Sequence, residues 1–552
     1  KVLHELKLSF QYDSDREEIV VSHAALTNDQ CIALANRLHK GSGLCLDPDT
    51  DQAKLVAMAG ALKRDVLLQP DPDTDQAKLV AMVGALKPGV GLRPDPRVDQ
   101  GKLVAMVEVL KRFVILRPDP KTDEAKLKVM VENMQPGVVL SPHPGTDKAK
   151  LKVMVENMQP GVILRPDLDT DQAKMVAMAG ALKLGVVLVP HTNANQAKLV
   201  AMVGALKSGV VLRPDPDIDQ AKLAAMAGVL NPGVILWPLA TDQAKLVAMA
   251  GALKSGVVLY PDLKTDEAKL VAMVEVLKQD VILTPHRDTS EEKLKAMVEH
   301  LSPKAVLSPP VYMADENLEQ LATHLLPRST MHIHPDMEDQ KCQMIVKNLG
   351  SDVYLMPDAQ ASASQLSNMT VHLASGVCWF LPALMPRERQ INLVESLPAK
   401  SHVQIDPASS NDNFRAVARA LPKGVVFHPS VKAGANELVA AVASMPQGSV
   451  LYLSSAMSQT LLTSLLDNKP RHVIVQPDAF LSDTQLRQIE ELLEAEDVVD
   501  LGPAWSRNGF FNNQVRISDN PLGKRSFSDA TRAVSSSSSA MSSSRAQRPR
   551  TG

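Results

Sequence analysis

The 24-residue stretch DPDTDQAKLVAMVGALKPGVGLRP, Asp71 to Pro94, constrains this chain more than any other feature, because nearly everything around it is the same unit written again. It returns as Asp95 to Pro118, Asp119 to Pro142 and His143 to Pro166. Its closing proline falls at Pro70, Pro94, Pro118, Pro142, Pro166, Pro190, Pro214, Pro238, Pro261, Pro285 and Pro309, a spacing of 24 apart from one 23-residue step. A fixed period in this range is the signature of a solenoid, in which each unit buries its apolar surface only against its neighbours. One elongated array of 552 residues is therefore expected, rather than the several globular domains that length alone suggests.

Within the unit, Leu79, Met82, Val83 and Leu86 fall at i, i+3, i+4 and i+7 and draw one apolar stripe along a helix of about three turns. Asp75 stands just ahead of that helix. Its equivalents Asp51, Asp99, Asp123, Asp147, Asp171, Asn195, Asp219, Asp242, Asp266 and Ser290 are all residues whose side-chain oxygen takes an orphan N–H, which reads as capping rather than metal binding. Pro88-Gly89, Pro136-Gly137 or Ser208-Gly209 then ends the helix. A short β-rich run such as Val162, Ile163, Leu164 follows and stops at a proline, which has no N–H to give a sheet.

A strand and a helix in 24 residues force the strands to run parallel. Strands stack about 4.8 Å apart and helices about 10 Å, so the two layers bend with the sheet inside. The unit VVLRPDPDIDQAKLAAMAGVL, Val210 to Leu230, resembles the helical type of leucine-rich repeat found in ribonuclease-inhibitor-like proteins. That resemblance implies an α/β horseshoe of about twenty units, with a parallel sheet on the concave face and helices on the convex face. In place of the family's Leu-x-Leu strand and Asn or Cys ladder, this chain has Val-Val-Leu and then Pro-Asp-Pro, whose fixed φ and Asx-type bonding are expected to supply the turn. A non-homologous α/β solenoid is the alternative.

The expected organisation is a divergent N-terminal capping region at 1–43, with a strand at Val20-Val21 and a helix from Asn28 to His39. Regular repeats occupy 44–309, and divergent repeats of the same solenoid occupy 310–503, with helices near Asn413–Leu421, Ala435–Met445 and Asp483–Glu494. A C-terminal cap at 504–528 would use Trp505, Phe510 and Phe511. The Ser- and Arg-rich segment 529–552 has too few apolar residues to offset its ordering entropy and reads as a disordered tail.

Alternation along Val210, Val211, Leu212 and Arg213 places Val210 and Leu212 in the core, and Val211 and Arg213 on the open concave side. The Arg213 column reads Gln69, Arg93, Arg117, Ser141, Arg165, Val189, Arg213, Trp237, Tyr260, Thr284 and Ser308. Arg, Trp and Tyr are the commonest anchors of protein interfaces, so Arg93, Arg117, Arg165, Arg213, Trp237 and Tyr260 are the candidate partner-binding residues. The competing reading pairs each arginine with a nearby aspartate, Asp95, Asp119, Asp167 or Asp215.

Histidines replace the aspartate after the proline at His143, His191 and His286, and His332, His334, His402 and His428 read as the same turn. Two units apart on a sheet is about 10 Å, too far for a shared metal, so no metal or cofactor is expected. A lysine early in every helix, as at Lys54, Lys78, Lys102 and Lys126, reads as a solvated outer row neutralised by the caps. The formal net charge of −3 argues against nucleic acid, no apolar run is long enough for a membrane span, and four scattered cysteines suit a reducing compartment. No catalytic motif is present, and Cys342 or Cys378, the latter near His372 in sequence, is the one nucleophile to consider.

The Glu-rich stretch Gln488 to Asp497 ahead of a polar Ser-rich terminus is similar to the translocation signals of type IV secreted effectors. That resemblance implies a bacterial effector in a host cytosol. The expected function is a monomeric, non-catalytic scaffold holding a protein on its concave face. The alternative is an enzyme or inhibitor active in the divergent part, 310–528.

Overall fold

The computed structural model describes residues 11–13, 18–20, 26–239, 242–303, 305–374, 376–478, 480–493, 497–500 and 516–517. It is an α/β repeat solenoid in which short strands alternate with helices of eight to ten residues, as in Val211–Leu212, Gln220–Ala227 and Ile235–Leu236. Contacts divide the chain into two compact units, Lys1–Thr289 with His300–Val306, and Ser290–Glu299 with Leu307–Gly552. In each unit the strands of the repeats pair in parallel with those of the neighbouring repeats. Val211 pairs with Val187 and Ile235 in the first, and His402 pairs with Cys378 and Val426 in the second.

The expected caps are present. Asp75 has extended backbone, and its carboxylate accepts the Lys78 N–H at 2.9 Å. Asp51, Asp99, Asp123, Asp147, Asp171, Asn195, Asp219, Asp242 and Asp266 do the same for the lysine three residues on. Backbone hydrogen bonds lower the Asp51, Asp219 and Asp266 carboxyls below the usual range. Met82, Val83 and Leu86 are buried, as are Val90 and Leu92 at and beside the strand Gly91–Leu92. Helices also stand near the expected places in the divergent part, at Asn411–Arg419, Ala435–Val442 and Asp483–Leu492.

The turn after the proline is an Asx turn, as the Pro-Asp-Pro reading anticipates: Asp71 Oδ1 accepts the Asp73 N–H at 2.9 Å and the Asp71 carbonyl accepts from Thr74. Where histidine replaces this aspartate, ring Nδ1 accepts the same N–H, from Gly145 at His143, from Asn193 at His191 and from Asp288 at His286. His334 follows suit, accepting from Asp336. His332, His402 and His428 do not, because they lie on the strands Thr330–Ile333, His402–Ile405 and Val426–His428.

The lysine column is not a solvated row. Lys126 Nζ reaches back to the Pro96 carbonyl at 2.8 Å, and Lys78, Lys102, Lys150, Lys174 and Lys245 make the same bond to Pro48, Pro72, Pro120, Pro144 and Pro216. Each ties its helix to the turn of the preceding repeat. The long aliphatic stem is buried on the way, and the cap carboxylate lies nearby, 3.9 Å from Lys126 Nζ at Asp123.

A second ladder runs along the sheet edge. Gly89, Phe113, Gly137, Gly161, Gly185 and Gly209 have positive φ, and each N–H donates to the carbonyl of its equivalent one repeat on, at 2.7–2.8 Å. Before the array, Gln11–Asp13 and Glu18–Val20 pair with each other antiparallel, so the first strands form a hairpin rather than a copy of the repeat. Arg516–Ile517 pairs in parallel with Val498–Val499. Trp505, Phe510, Phe511 and the tail from 529 lie outside the described residues.

Candidate partner-binding face

The strands present alternate residues to the helices and to the opposite, inner face. Val210 and Leu212 are fully buried under the helices as expected. The Val211 column departs from expectation, because it is not an open surface: Ile115, Val139, Ile163 and Val187 are buried against one another, with Val189 and Val211 packed on them. Apolar inner side chains on a curled sheet converge, and their contact gives the inner face a core of its own.

The degree of curl is read from contacts across several repeats. Phe113 precedes the strand Ile115–Leu116 and Arg213 follows Val211–Leu212, four strand steps away. In a flat sheet those strands would stand about 19 Å apart. The Arg213 Cζ nevertheless lies 5.8 Å from the Phe113 ring centroid. Within the second unit, Arg328 and Asp478 are six strand steps apart, and Arg328 Nη2 lies 3.8 Å from Asp478 Oδ2 and its Cζ 5.3 Å from the Phe480 ring. Both units bring side chains from distant repeats together on the inner face.

All six sequence-derived candidates lie on the inner face of the first unit, partly buried. Arg93 pairs with Asp119 of the next repeat, Nη2 to Oδ2 at 2.9 Å. This is the carboxylate partnership the competing reading assigns to every arginine. Arg117, Arg165 and Arg213 have none among the described residues, and the buried Nε of Arg117 and of Arg213 has no acceptor. Trp237 and Tyr260 meet edge to face at 5.7 Å, with Arg213 Cζ 5.9 Å above the Trp237 ring and His286 5.7 Å beyond Tyr260. Trp237 Nε1 is buried and likewise without an acceptor.

Burial and neighbouring cations outweigh the nearby carboxylates Asp167 and Asp215 at two positions on this face. Burial, and then Arg112, push the proton affinity of Arg213 down. Burial and then Arg165 lower His191. Desolvation raises the Tyr260 hydroxyl. Sequence reasoning missed Arg112 and Phe113, which precede the strand and join this group from the sheet edge: Arg112 Cζ stands 5.7 Å from the Phe113 ring. The signal for Phe113 is present in the sequence, as the one aromatic in a column where Gly89, Gly137, Gly161, Gly185 and Gly209 recur.

The second unit's inner face has different chemistry. His402 Nδ1 and His428 Nε2 are 2.7 Å apart, and the His428 ring stacks on Tyr452 at 4.2 Å. Both histidines are half-buried, and desolvation lowers His402 and holds His428 well below the usual imidazole range. Asp478 is buried and accepts from the Ser455 hydroxyl at 2.8 Å, the Ser455 N–H at 3.1 Å and the Phe480 N–H at 3.1 Å. Asp358 lies below the usual carboxylate range, chiefly through its bond to His332. Burial raises the Cys342 thiol and holds Cys378 well above the usual range, so both sulfurs are kept protonated. His372 caps the helix Ala363–Val371 on the outer layer, whereas Cys378 opens a strand.

The fold and this face define an α/β repeat solenoid, a class whose members typically act as protein-interaction scaffolds. Comparison with models of known families finds none that matches the chain, and comparison with curated proteins finds no relative. Among the described residues no helix is long and apolar enough to cross a membrane.

Proposed function

We propose that this chain is a non-catalytic scaffold that holds a protein partner on the inner face of its first unit, through Arg93, Arg117, Arg165, Arg213, Trp237 and Tyr260. The observation that carries the reading is that, among the described residues, Arg117, Arg165 and Arg213 have no carboxylate partner although they are half-buried, whereas Arg93 on the same face and the lysines at the helix starts pair with an aspartate. An unpaired, partly desolvated guanidinium costs stability, and a partner supplying acceptors recovers it. Packing of the Ile115 to Val187 column narrows the face, so the partner inserts a loop or extended segment rather than a globular surface. The protonated thiols of Cys342 and Cys378 weigh against a nucleophilic enzyme in the divergent part.

The quadruple variant Arg165→Ala, Arg213→Ala, Trp237→Ala, Tyr260→Ala and a control with Lys128→Ala and Lys152→Ala on outer helices are compared by pull-down and melting. Loss of partner only in the inner-face variant, with both folded, is expected. Equal recovery by the two would sink the proposal. The Glu-rich stretch and Ser/Arg-rich terminus further support a type IV effector that works in a host cytosol. Deleting 529–552 is expected to abolish translocation and leave the melt unchanged.

A further inference from the structure

Phe113 has φ +66° where most repeats of the first unit place glycine. A bulky side chain in the left-handed region costs roughly 1–2 kcal/mol and persists only where its surroundings hold it. Here the ring is flanked by two cations: Arg112 Cζ at 5.7 Å and Arg213 Cζ at 5.8 Å, the second of which also lies 5.9 Å from Trp237. Neither guanidinium has a carboxylate partner among the described residues, and the Arg213 Nε and Trp237 Nε1 donors are buried without an acceptor. Strain, two like charges and two unmet donors converge on one place. Asp215 acts on Arg213 through space but makes no ion pair with it among the described residues, so what is missing there is an anion in contact, with several acceptor atoms.

We propose that Arg112, Phe113, Arg213 and Trp237 frame a binding site for a phosphoryl group. A carboxylate brings one charge and two oxygens in a plane. A phosphate monoester brings nearly two charges and three oxygens directed tetrahedrally, matching donors that approach from two arginines and an indole on three separate repeats. Arg112 is exposed and swings onto the anion, while Arg213 is held between the Phe113 and Trp237 rings. The site rests on the reading of this face as a binding surface and names the chemistry that anchors there. The group belongs either to a free phosphorylated ligand or to a phosphorylated side chain of the partner.

The full chain is titrated by calorimetry at low salt with inorganic pyrophosphate, and in parallel with a phosphoserine hexapeptide and its unphosphorylated twin, while Trp237 fluorescence is followed. Binding of pyrophosphate or of the phosphopeptide alone is expected, with Arg213→Gln weakening it at least about tenfold, the equivalent of one charge-assisted hydrogen bond. Arg112→Gln is expected to weaken it severalfold and Lys128→Gln not at all. Phe113→Gly relieves the backbone strain, so it is expected to hold or raise the melting temperature while weakening the anion. Tighter binding of the phosphopeptide assigns the group to the partner, and tighter binding of pyrophosphate assigns it to a free ligand. Binding of neither, or equal binding by Arg213→Gln and Lys128→Gln, overturns the site. Loss of the protein partner on changing Arg213 and Trp237, with no binding of either phosphate probe, leaves the interface standing and removes the phosphoryl site alone.

Discussion

Lys126→Met tests whether the repeated lysine joins neighbouring repeats. Methionine keeps most of the aliphatic stem and deletes the ammonium, so packing is little changed. The ammonium donates to the Pro96 carbonyl at 2.8 Å, with only 22% of the side chain exposed. A hydrogen bond from a charged donor contributes about 1.5–3 kcal/mol net. The Asp123 contact at 3.9 Å adds only a few tenths. A loss of about 2 kcal/mol is expected. Lys128→Met, on the same helix, is the control: its side chain is 53% exposed and reaches Glu132 at 3.8 Å, in an i, i+4 pair worth about 0.3 kcal/mol. In a stack of nearest-neighbour contacts the Lys126 loss falls on one interface. Hydrogen exchange is therefore expected to quicken around Pro96 and the helix Glu124–Glu132, and the urea midpoint to drop more than for Lys128→Met. Equal losses in the two variants would refute an inter-repeat role for the lysine and reduce it to surface charge.

His402 and His428 are lowered by burial, so the folded state resists protonation while the unfolded chain takes up protons from about pH 6.5 downward. Their contribution is fully present above that pH and is lost as pH falls below it; thermal melts at pH 7.5 and 5.5 are expected to show a smaller acid loss in His428→Phe, which keeps a ring on Tyr452. Gly233 has φ +77°, and an added Cβ would meet Ser208 Oγ at 2.1 Å, whereas Gly84 has open space. Gly233→Ala is expected to cost about 1–2 kcal/mol and Gly84→Ala, at the end of a helix, to gain a few tenths, both read from urea midpoints.

What recurs in the sequence proved legible because each repeated residue has a local job. Asp75 caps its own helix, Gly89 supplies its own left-handed turn, and Pro94 ends its own strand, so one unit read alone is enough. The lysine partner escaped that reading because it is a main-chain carbonyl 30 residues back, and a carbonyl has no letter. The histidine turns were half legible: His143 Nδ1 and Asp71 Oδ1 are both acceptors placed over an N–H two residues on. His402 and His428 show the same letter on a strand, where only register separates the two cases.

Curl was the least legible property, and the inner face depends on it. The ratio of strand to helix spacing says that the layers bend, but the number of repeats needed to bring two inner side chains together is set by how tightly the helices seat. Ile115 and Val187 therefore pack where an open surface was expected, and Phe113 meets Arg213 across four strand steps. A contact of that kind cannot recur in every repeat, because each pairing uses one residue from the sheet edge and one from a strand end several repeats on. It has to be written as a departure from the consensus. Phe113 and Arg328, both at positive φ in a column dominated by glycine, are two such departures, and each reaches a residue several repeats away. Arg328 finds Asp478, whereas the two guanidiniums at Phe113 make no ion pair among the described residues, and that asymmetry is why the anion is sought at Phe113.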